Sequence, residues 1–132
     1  RPEYLTLART KLKDLWNYAT IAVPADRQRY LLPGSSAVFQ REGKLKVNPS
    51  YLAPCAFRLF AQVDRERDWL SLVESSYQML EQSSRVSSVG LPSDWIALDP
   101  KTGEYSLLDS GSPLVSRYGF DAFRVWWRVA LD

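Results

Sequence analysis

The chain has 132 residues, about the size of one domain, and its 17 basic and 15 acidic side chains leave a net charge of only +2. The absence of a basic stripe argues against nucleic acid as a partner, and no apolar run approaches the roughly 18 residues of a membrane span. The chain has no histidine and one cysteine, which excludes an internal disulfide, a Ser-His-Asp triad and a Cys-His pair. Carboxylates are therefore the expected agents of any chemistry, and we expect no metal and no cofactor.

The first third of the chain combines one regular helix with an irregular stretch. Apolar residues at helical spacing predict an amphipathic helix over Pro2–Ala19, and its proline suits the first helical turn. Residues Ala22–Lys46 contain several turn signals and predict no long element. Short strands are expected around Ala37–Gln40 and Lys44–Val47.

Three further helices are predicted downstream. Asn48 is a good N-cap, and Pro49 fits the first position of a helix that continues through Tyr51–Val63 and is apolar nearly all round. An amphipathic helix follows over roughly Arg67–Gln82. After a long stretch rich in Ser, Gly and Pro, a final helix, again apolar nearly all round, is expected over Gly119–Leu131.

This pattern predicts an all-α fold built in two layers. A helix that is apolar all round is typical of the interior of a larger assembly, so the two apolar helices are expected to form the inner layer of an α/α toroid. Four helices cannot close such a ring. The chain is therefore predicted to be a sector of a barrel with long loops and no more than short β-hairpins. Four tryptophans are assigned to the core: Trp16, Trp69, Trp126 and Trp127.

The final helix carries a single charged stripe. Asp121, Arg124, Arg128 and Asp132 fall within an arc of roughly 80° on an ideal helix. Asp121 lies in the first turn, where the helix dipole favours an anion, and Arg124 can pair with it one turn later. A positioned carboxylate can serve as a general base toward water, while a purely structural ion pair is the alternative. The arginines could equally bind a sugar or cross-link helices, and Asp132 is expected to be structural.

Several aromatic residues lie in loops or at helix starts, which suits the wall of a polysaccharide cleft. Tyr51, Trp95, Tyr118 and Phe120 have this placement, although packing against the core remains open for each. If the two apolar helices are parallel neighbours, their N-termini open on the same face. Tyr51 and Asp121 would then line one rim.

Four short segments together resemble a known family. They are "YLLPG" (Tyr30–Gly34), "VNPSYLAP" (Val47–Pro54), "LPSDWI" (Leu91–Ile96) and "YGFDAFRVWWRVALD" (Tyr118–Asp132). In content, order and spacing they resemble glycoside hydrolase family 8, in particular its endo-β-1,4-glucanases that accompany bacterial cellulose synthesis.

The resemblance implies an (α/α)6 barrel that hydrolyses β-1,4-glucan with inversion. In such enzymes a carboxylic acid protonates the leaving oxygen, and a second carboxylate activates a water on the opposite face. Asp121 falls on the family's base position and Arg124 on the arginine three residues later. Tyr51 falls on the tyrosine after "NPS", and Phe120 stands where many members have tyrosine. The expected substrate contacts are Tyr51, Trp95, Tyr118, Phe120 and Arg124.

The family's general acid is the main departure. That glutamate and the Asp-rich signature belong to the N-terminal part of the barrel, and neither has a match here. Residues 1–132 are therefore expected to be a partial catalytic domain, inactive alone, of a periplasmic or secreted enzyme. The expected partners are the polysaccharide and the missing part of the barrel. A non-catalytic helical carbohydrate-binding or scaffold protein, or a helical adaptor, remains an alternative, and the resemblance leaves open cellulose, mixed-linkage glucan, xylan or chitosan.

Overall fold

The first helix agrees with its prediction residue for residue. The computed structural model describes all 132 residues, Arg1–Asp132, and helix α1 spans Pro2–Ala19. It buries Leu12 and Ala19 while most of its surface stays exposed. It ends where Thr20 turns into extended backbone. None of the helices in the structure combines the length and hydropathy needed to cross a bilayer.

A β-hairpin follows α1 in the stretch that was predicted to be irregular. Strands β1 (Thr20–Val23) and β2 (Gln28–Leu31) pair antiparallel. The Asp26 carboxylate accepts hydrogen bonds from the Gln28 amide at 3.0 Å and from the Tyr30 hydroxyl at 2.5 Å. These bonds stabilise the turn, in which Arg27 adopts a positive φ of 60°.

A four-stranded antiparallel sheet corrects the all-α expectation. Strands β3 (Gln40–Arg41), β4 (Lys44–Val47), β5 (Ile96–Leu98) and β6 (Tyr105–Ser106) lie in that order. Strand β4 was predicted, but the strand expected over Ala37–Gln40 is wrong. Most of that segment forms a single helical turn, α2, at Ser36–Phe39. The fold is mainly helical with two small sheets, whose strands are too short to show a clear alternation in the sequence.

The two central helices lie close to their predicted positions. Asn48 caps a 3₁₀ turn at Pro49–Tyr51 where an α-helix was expected to begin. Helix α3 begins only at the next proline and spans Pro54–Val63, since proline suits a first helical position. Helix α4 spans Trp69–Val86, with Asp68 as its side-chain cap. It therefore extends four residues beyond the predicted end.

The buried apolar residues form two clusters. One lies under the four-stranded sheet and joins it to the hairpin and α4; it includes Val23, Tyr30, Leu45, Val47, Met79, Ile96, Leu98 and Val125. The other lies between α1, α3 and α4; it comprises Leu12, Phe57, Trp69, Leu72 and Val73. Trp16 packs against this second cluster. The predictions for Trp16 and Trp69 are confirmed.

The final helix is interrupted and largely uncovered. Its pieces are α5 (Phe120–Phe123) and α6 (Val125–Ala130), where one helix was expected. Ala122 and Val125 are buried. Trp126 and Trp127 are 46% and 47% exposed, so their assignment to the core is wrong for this chain. The pieces pack on the 3₁₀ turn and on α3, and no other element covers their outer side.

Candidate active site

Asp121 lies in the first turn of α5, and both of its carboxylate oxygens accept hydrogen bonds. Its Oδ2 accepts a hydrogen bond from Asn48 Nδ2 at 2.9 Å, and its Oδ1 accepts one from the guanidinium of Arg124. The side chain nevertheless remains 28% exposed. Both oxygens are therefore oriented by donors, while the carboxylate can still be reached from solvent.

The 3₁₀ turn and α5 are joined by side-chain hydrogen bonds. Asn48 Oδ1 accepts from the Ser50 amide at 2.9 Å, which directs the amide NH₂ of Asn48 toward Asp121. Ser50 Oγ accepts a hydrogen bond from Arg124 Nη2 at 3.2 Å. The prediction that these two N-terminal segments lie side by side is confirmed.

Asp94 holds the start of α5 from a different segment. Its Oδ1 accepts hydrogen bonds from the amides of Ala122 at 2.6 Å and Gly119 at 3.2 Å. Gly119 provides no side-chain cap of its own. A Cβ at Gly119 would overlap Asp94 Oδ2 and lie 3.1 Å from its Cγ. Glycine is therefore required at this position because of the close approach of the Asp94 carboxylate.

Two of the predicted substrate contacts lie in the two elements that meet at Asp121, the 3₁₀ turn and α5. Phe120 is 83% exposed, and the guanidinium carbon of Arg124 lies 5.7 Å from its ring centroid. Tyr51 ends the 3₁₀ turn and is 48% exposed. The structure thus brings Tyr51, Phe120 and Arg124 to the same region of the surface as Asp121.

The other two predicted contacts already have aromatic or polar partners. Trp95 is stacked on Phe39, with ring centroids 5.9 Å apart and planes 10° from parallel, so one face of the indole is covered. The hydroxyl of Tyr118 accepts a hydrogen bond from Trp126 Nε1 at 3.0 Å. Trp95 follows Asp94, which caps α5, and Tyr118 precedes Gly119 at the N-cap position. The structure shows no hydrogen bond between either residue and Asp121.

The remaining charges of the stripe have different environments. Asp132 accepts hydrogen bonds from Arg58 Nε at 2.8 Å and from the Tyr77 hydroxyl at 2.9 Å, as expected for a structural residue. The hydrogen bond from Arg58 lowers the pKa of the Asp132 carboxyl. The Arg128 guanidinium lies 4.3 Å from the Trp127 ring centroid. The Nε atoms of Arg124 and Arg128 are buried without a partner.

Three residues of this region were not predicted to take part in it. Asn48 was expected only to cap a helix, and Ser50 and Asp94 were given no role. All three lie in the segments "VNPSYLAP" and "LPSDWI", which supported the family resemblance. Those segments were therefore the available signal, because a polar residue in a segment expected beside a site is a candidate hydrogen-bond partner for it.

The comparisons with known proteins identify the family. The profile of glycosyl hydrolases family 8 matches residues 2–132, so the chain belongs to this family and the resemblance is confirmed. It is 28% identical over 134 aligned residues to Endoglucanase A of Acetivibrio thermocellus, covering 95% of this chain and 23% of that protein. It is 34% identical over 122 aligned residues to an endoglucanase of Cellulomonas uda, covering 92% of this chain and 32% of that protein.

Solved structures agree with this assignment. The endo-β-1,4-glucanase CMCax from Acetobacter xylinum superposes with a TM-score of 0.77 and 26% identity, covering 97% of this chain and 38% of that one. The mixed helical and sheet architecture is therefore one that this family uses. The chain spans between about a quarter and two fifths of the length of these relatives.

Proposed function

We propose that this chain carries the general base of an inverting endo-β-1,4-glucanase, and that the base is Asp121. The observation that carries the proposal is the Asp121 carboxylate, whose two oxygens are oriented by Asn48 and Arg124 while the group remains exposed. Membership of glycosyl hydrolases family 8 and the endoglucanase relatives support the reaction class.

The geometry suits the activation of a water molecule. A water bound to the exposed side of Asp121 would donate one proton to the carboxylate as its oxygen attacks the anomeric carbon. Attack from the face opposite the leaving group inverts the configuration at that carbon. Asn48 and Arg124 keep the carboxylate from rotating, which maintains the orientation that an efficient proton transfer requires.

The surrounding residues suit a glucan chain. Phe120 and Tyr51 offer exposed aromatic faces beside the base, and the exposed part of Arg124 offers donors to sugar hydroxyls. We assign Trp95 and Tyr118 to more distant contacts, since each already has a protein partner. β-1,4-Glucan is the proposed substrate, and the enzyme is proposed to act in the periplasm or outside the cell.

The uncovered apolar face supports the partial-barrel proposal. Five large apolar residues of the last helix are between 46% and 83% exposed: Phe120, Phe123, Trp126, Trp127 and Leu131. The neighbouring partnerless Nε atoms of two arginines also call for an acceptor. We propose that residues 1–132 form a sector of an (α/α)6 barrel whose other part covers this face and supplies the general acid. On this proposal the isolated chain is inactive, because the leaving oxygen remains unprotonated.

Sugar release from cellohexaose tests the proposal. The 132-residue chain is expected to release none, and the complete enzyme is expected to release product first as the α-anomer, observed by proton NMR. Asp121→Asn should lower the rate about 10³-fold or more, while Asp109→Asn in an exposed loop should leave it unchanged. Product released first as the β-anomer, or full activity in Asp121→Asn, would contradict the mechanism. Glucan binding without any release by the complete protein would support a binding or scaffold protein.

A further inference from the structure

The start of α5 lacks a cap within its own sequence. A helix leaves its first amide groups without intrahelical partners, and a side-chain acceptor at the N-cap normally satisfies one of them. The N-cap position is occupied by Gly119, which has no side chain. The turn that carries Asp121 therefore depends on an acceptor from elsewhere.

Asp94 provides that acceptor from 25 residues earlier in the chain. Its Oδ1 accepts from Ala122 N at 2.6 Å and Gly119 N at 3.2 Å, on both sides of Asp121. The side chain is only 11% exposed. A carboxylate at this place also complements the partial positive charge of the helix start.

The segment that carries Asp94 is itself fixed to the core. Pro92, Ser93 and Asp94 are all buried, and the Ser93 amide donates to Ser83 Oγ of α4 at 2.9 Å. On the other side, the Asp94 amide donates to the carbonyl of Arg117 at 2.7 Å. The segment Pro92–Asp94 therefore connects helix α4 to the short helix α5.

We propose that Asp94 is a positioning residue for Asp121, acting by capping α5 and fixing its first turn. This inference rests on the proposed role of Asp121 as the general base. Asp94 does not touch the reacting atoms in this proposal. It holds the backbone from which the base projects, and a displacement of about 1 Å at a catalytic group can cost about 100-fold in rate.

Hydrogen exchange in the 132-residue chain tests the cap without any activity. Asp94→Ala should accelerate amide exchange of Gly119 and Ala122 at least about tenfold. A tenfold change in the opening equilibrium corresponds to roughly 1.4 kcal/mol. Asp94→Asn should preserve much of the protection, because its amide oxygen can still accept a hydrogen bond. Asp109→Ala is the control and should change neither amide. Unchanged exchange in Asp94→Ala would overturn the inference.

Kinetics of the complete enzyme on cellohexaose test the positioning. Asp94→Ala should lower kcat by about 10- to 100-fold with KM changed by less than about threefold, because binding contacts remain and only the alignment of the base is lost. Asp94→Asn should recover most of kcat. A rise in KM at unchanged kcat, or equal loss in Asp94→Ala and Asp94→Asn, would overturn the positioning role.

Gly119→Ala provides a second way to disturb the same contact. Its added Cβ overlaps Asp94 Oδ2, so kcat should fall in the otherwise wild-type enzyme. In the Asp94→Ala background the same substitution should cost little more, since residues in one contact are not additive. Additive losses would overturn the inference. A complete wild-type enzyme that releases no sugar would remove the proposed function and the positioning role with it, whereas the exchange experiment would still report on the cap.

Discussion

The start of α4 and the last helix contain similar residues in opposite environments. Trp69 is fully buried, with its ring in edge contact with Trp16 and Phe60 at centroid distances of 5.1 Å and 5.2 Å. Its indole N–H donates to the buried Asp64 carboxylate at 3.0 Å. Trp126 and Trp127 are nearly half exposed. An apolar composition therefore shows which side chains favour burial, but the neighbouring elements decide whether they are buried.

The same comparison distinguishes the part of the chain that stabilises the fold from the part that carries the proposed site. The cluster around Trp69 joins three helices, and the polar groups beside it, the Trp69 indole and the Asp64 carboxylate, are hydrogen-bonded to each other. The last helix has large apolar residues exposed and carries the proposed base. On the function proposed above, this surface is left open for substrate and for the other part of the barrel.

Replacing the buried Trp69 and the half-exposed Trp127 should give the largest contrast in the free energy of unfolding. Trp69→Ala removes a fully buried ring and should lower the free energy of unfolding by about 3–5 kcal/mol. Trp127→Ala should lower it by about 1 kcal/mol or less, because much of the ring already faces solvent. Urea denaturation followed by circular dichroism measures both. Similar losses for the two variants would contradict the comparison.

The polar part of the buried cluster should give the next largest effect. The carboxylate of Asp64 is 3% exposed and pairs with Arg67 at 2.8 Å. Asp64→Asn should destabilise the chain by about 2–3 kcal/mol, because donors lose a charged acceptor in a buried place. Asp109→Asn, in an exposed loop, is the matched control.

The pH dependence of the Asp64 effect has a defined sign. Burial acts to raise the pKa of Asp64, but hydrogen bonds from Arg67, the Trp69 indole and the Glu66 amide outweigh it and lower the pKa. A carboxyl whose pKa is lower in the folded state stabilises the fold above its unfolded value, about 3.9, and loses this contribution as the pH falls through the folded value. The stability difference between wild type and Asp64→Asn should therefore shrink below about pH 4. A difference that grows with acid would contradict it.

Polar substitutions on the exposed face of the last helix should leave the stability nearly unchanged, in contrast to substitutions in the cluster around Trp69. Phe123→Ser with Leu131→Ser should leave the free energy of unfolding within about 0.5 kcal/mol of wild type while reducing binding of a hydrophobic dye, because exposed apolar patches bind such dyes. Val115→Ser changes an exposed residue outside the last helix and serves as control. A marked loss of stability would mean that these residues are covered within the chain.

The ion pair at the end of α6 should give the smallest effect. The Arg58 side chain is 50% exposed, and exposed pairs contribute little to stability. Arg58→Ala should therefore lower the melting temperature by less than Asp64→Asn does. Because Arg58 lowers the pKa of Asp132, the difference between wild type and Arg58→Ala should disappear as the pH falls below about 4.

Local signals in the sequence predicted a substantial part of this fold. Helix α1 and strand β4 lie where they were predicted, and α3 and α4 differ only at their ends, because caps, prolines and helical spacing act over a few residues. The family followed from four short segments taken in order. The pairing of Asp121 with Arg124 could also be predicted from the sequence, since residues three apart on a helix share a face.

The tertiary structure alone decided the remaining features. Strands β4 and β5 pair across some fifty residues of chain, and strands of two to four residues have too few positions for a periodic pattern to identify them. The cap that Asp94 provides to α5 likewise joins residues 25 and 28 positions apart, and neither segment identifies its partner. The sequence by itself determined the three long helices apart from their ends, the family and the candidate base. Only the tertiary structure determined which apolar side chains are buried and which polar groups donate hydrogen bonds to Asp121. Both depend on contacts between segments that are distant along the chain.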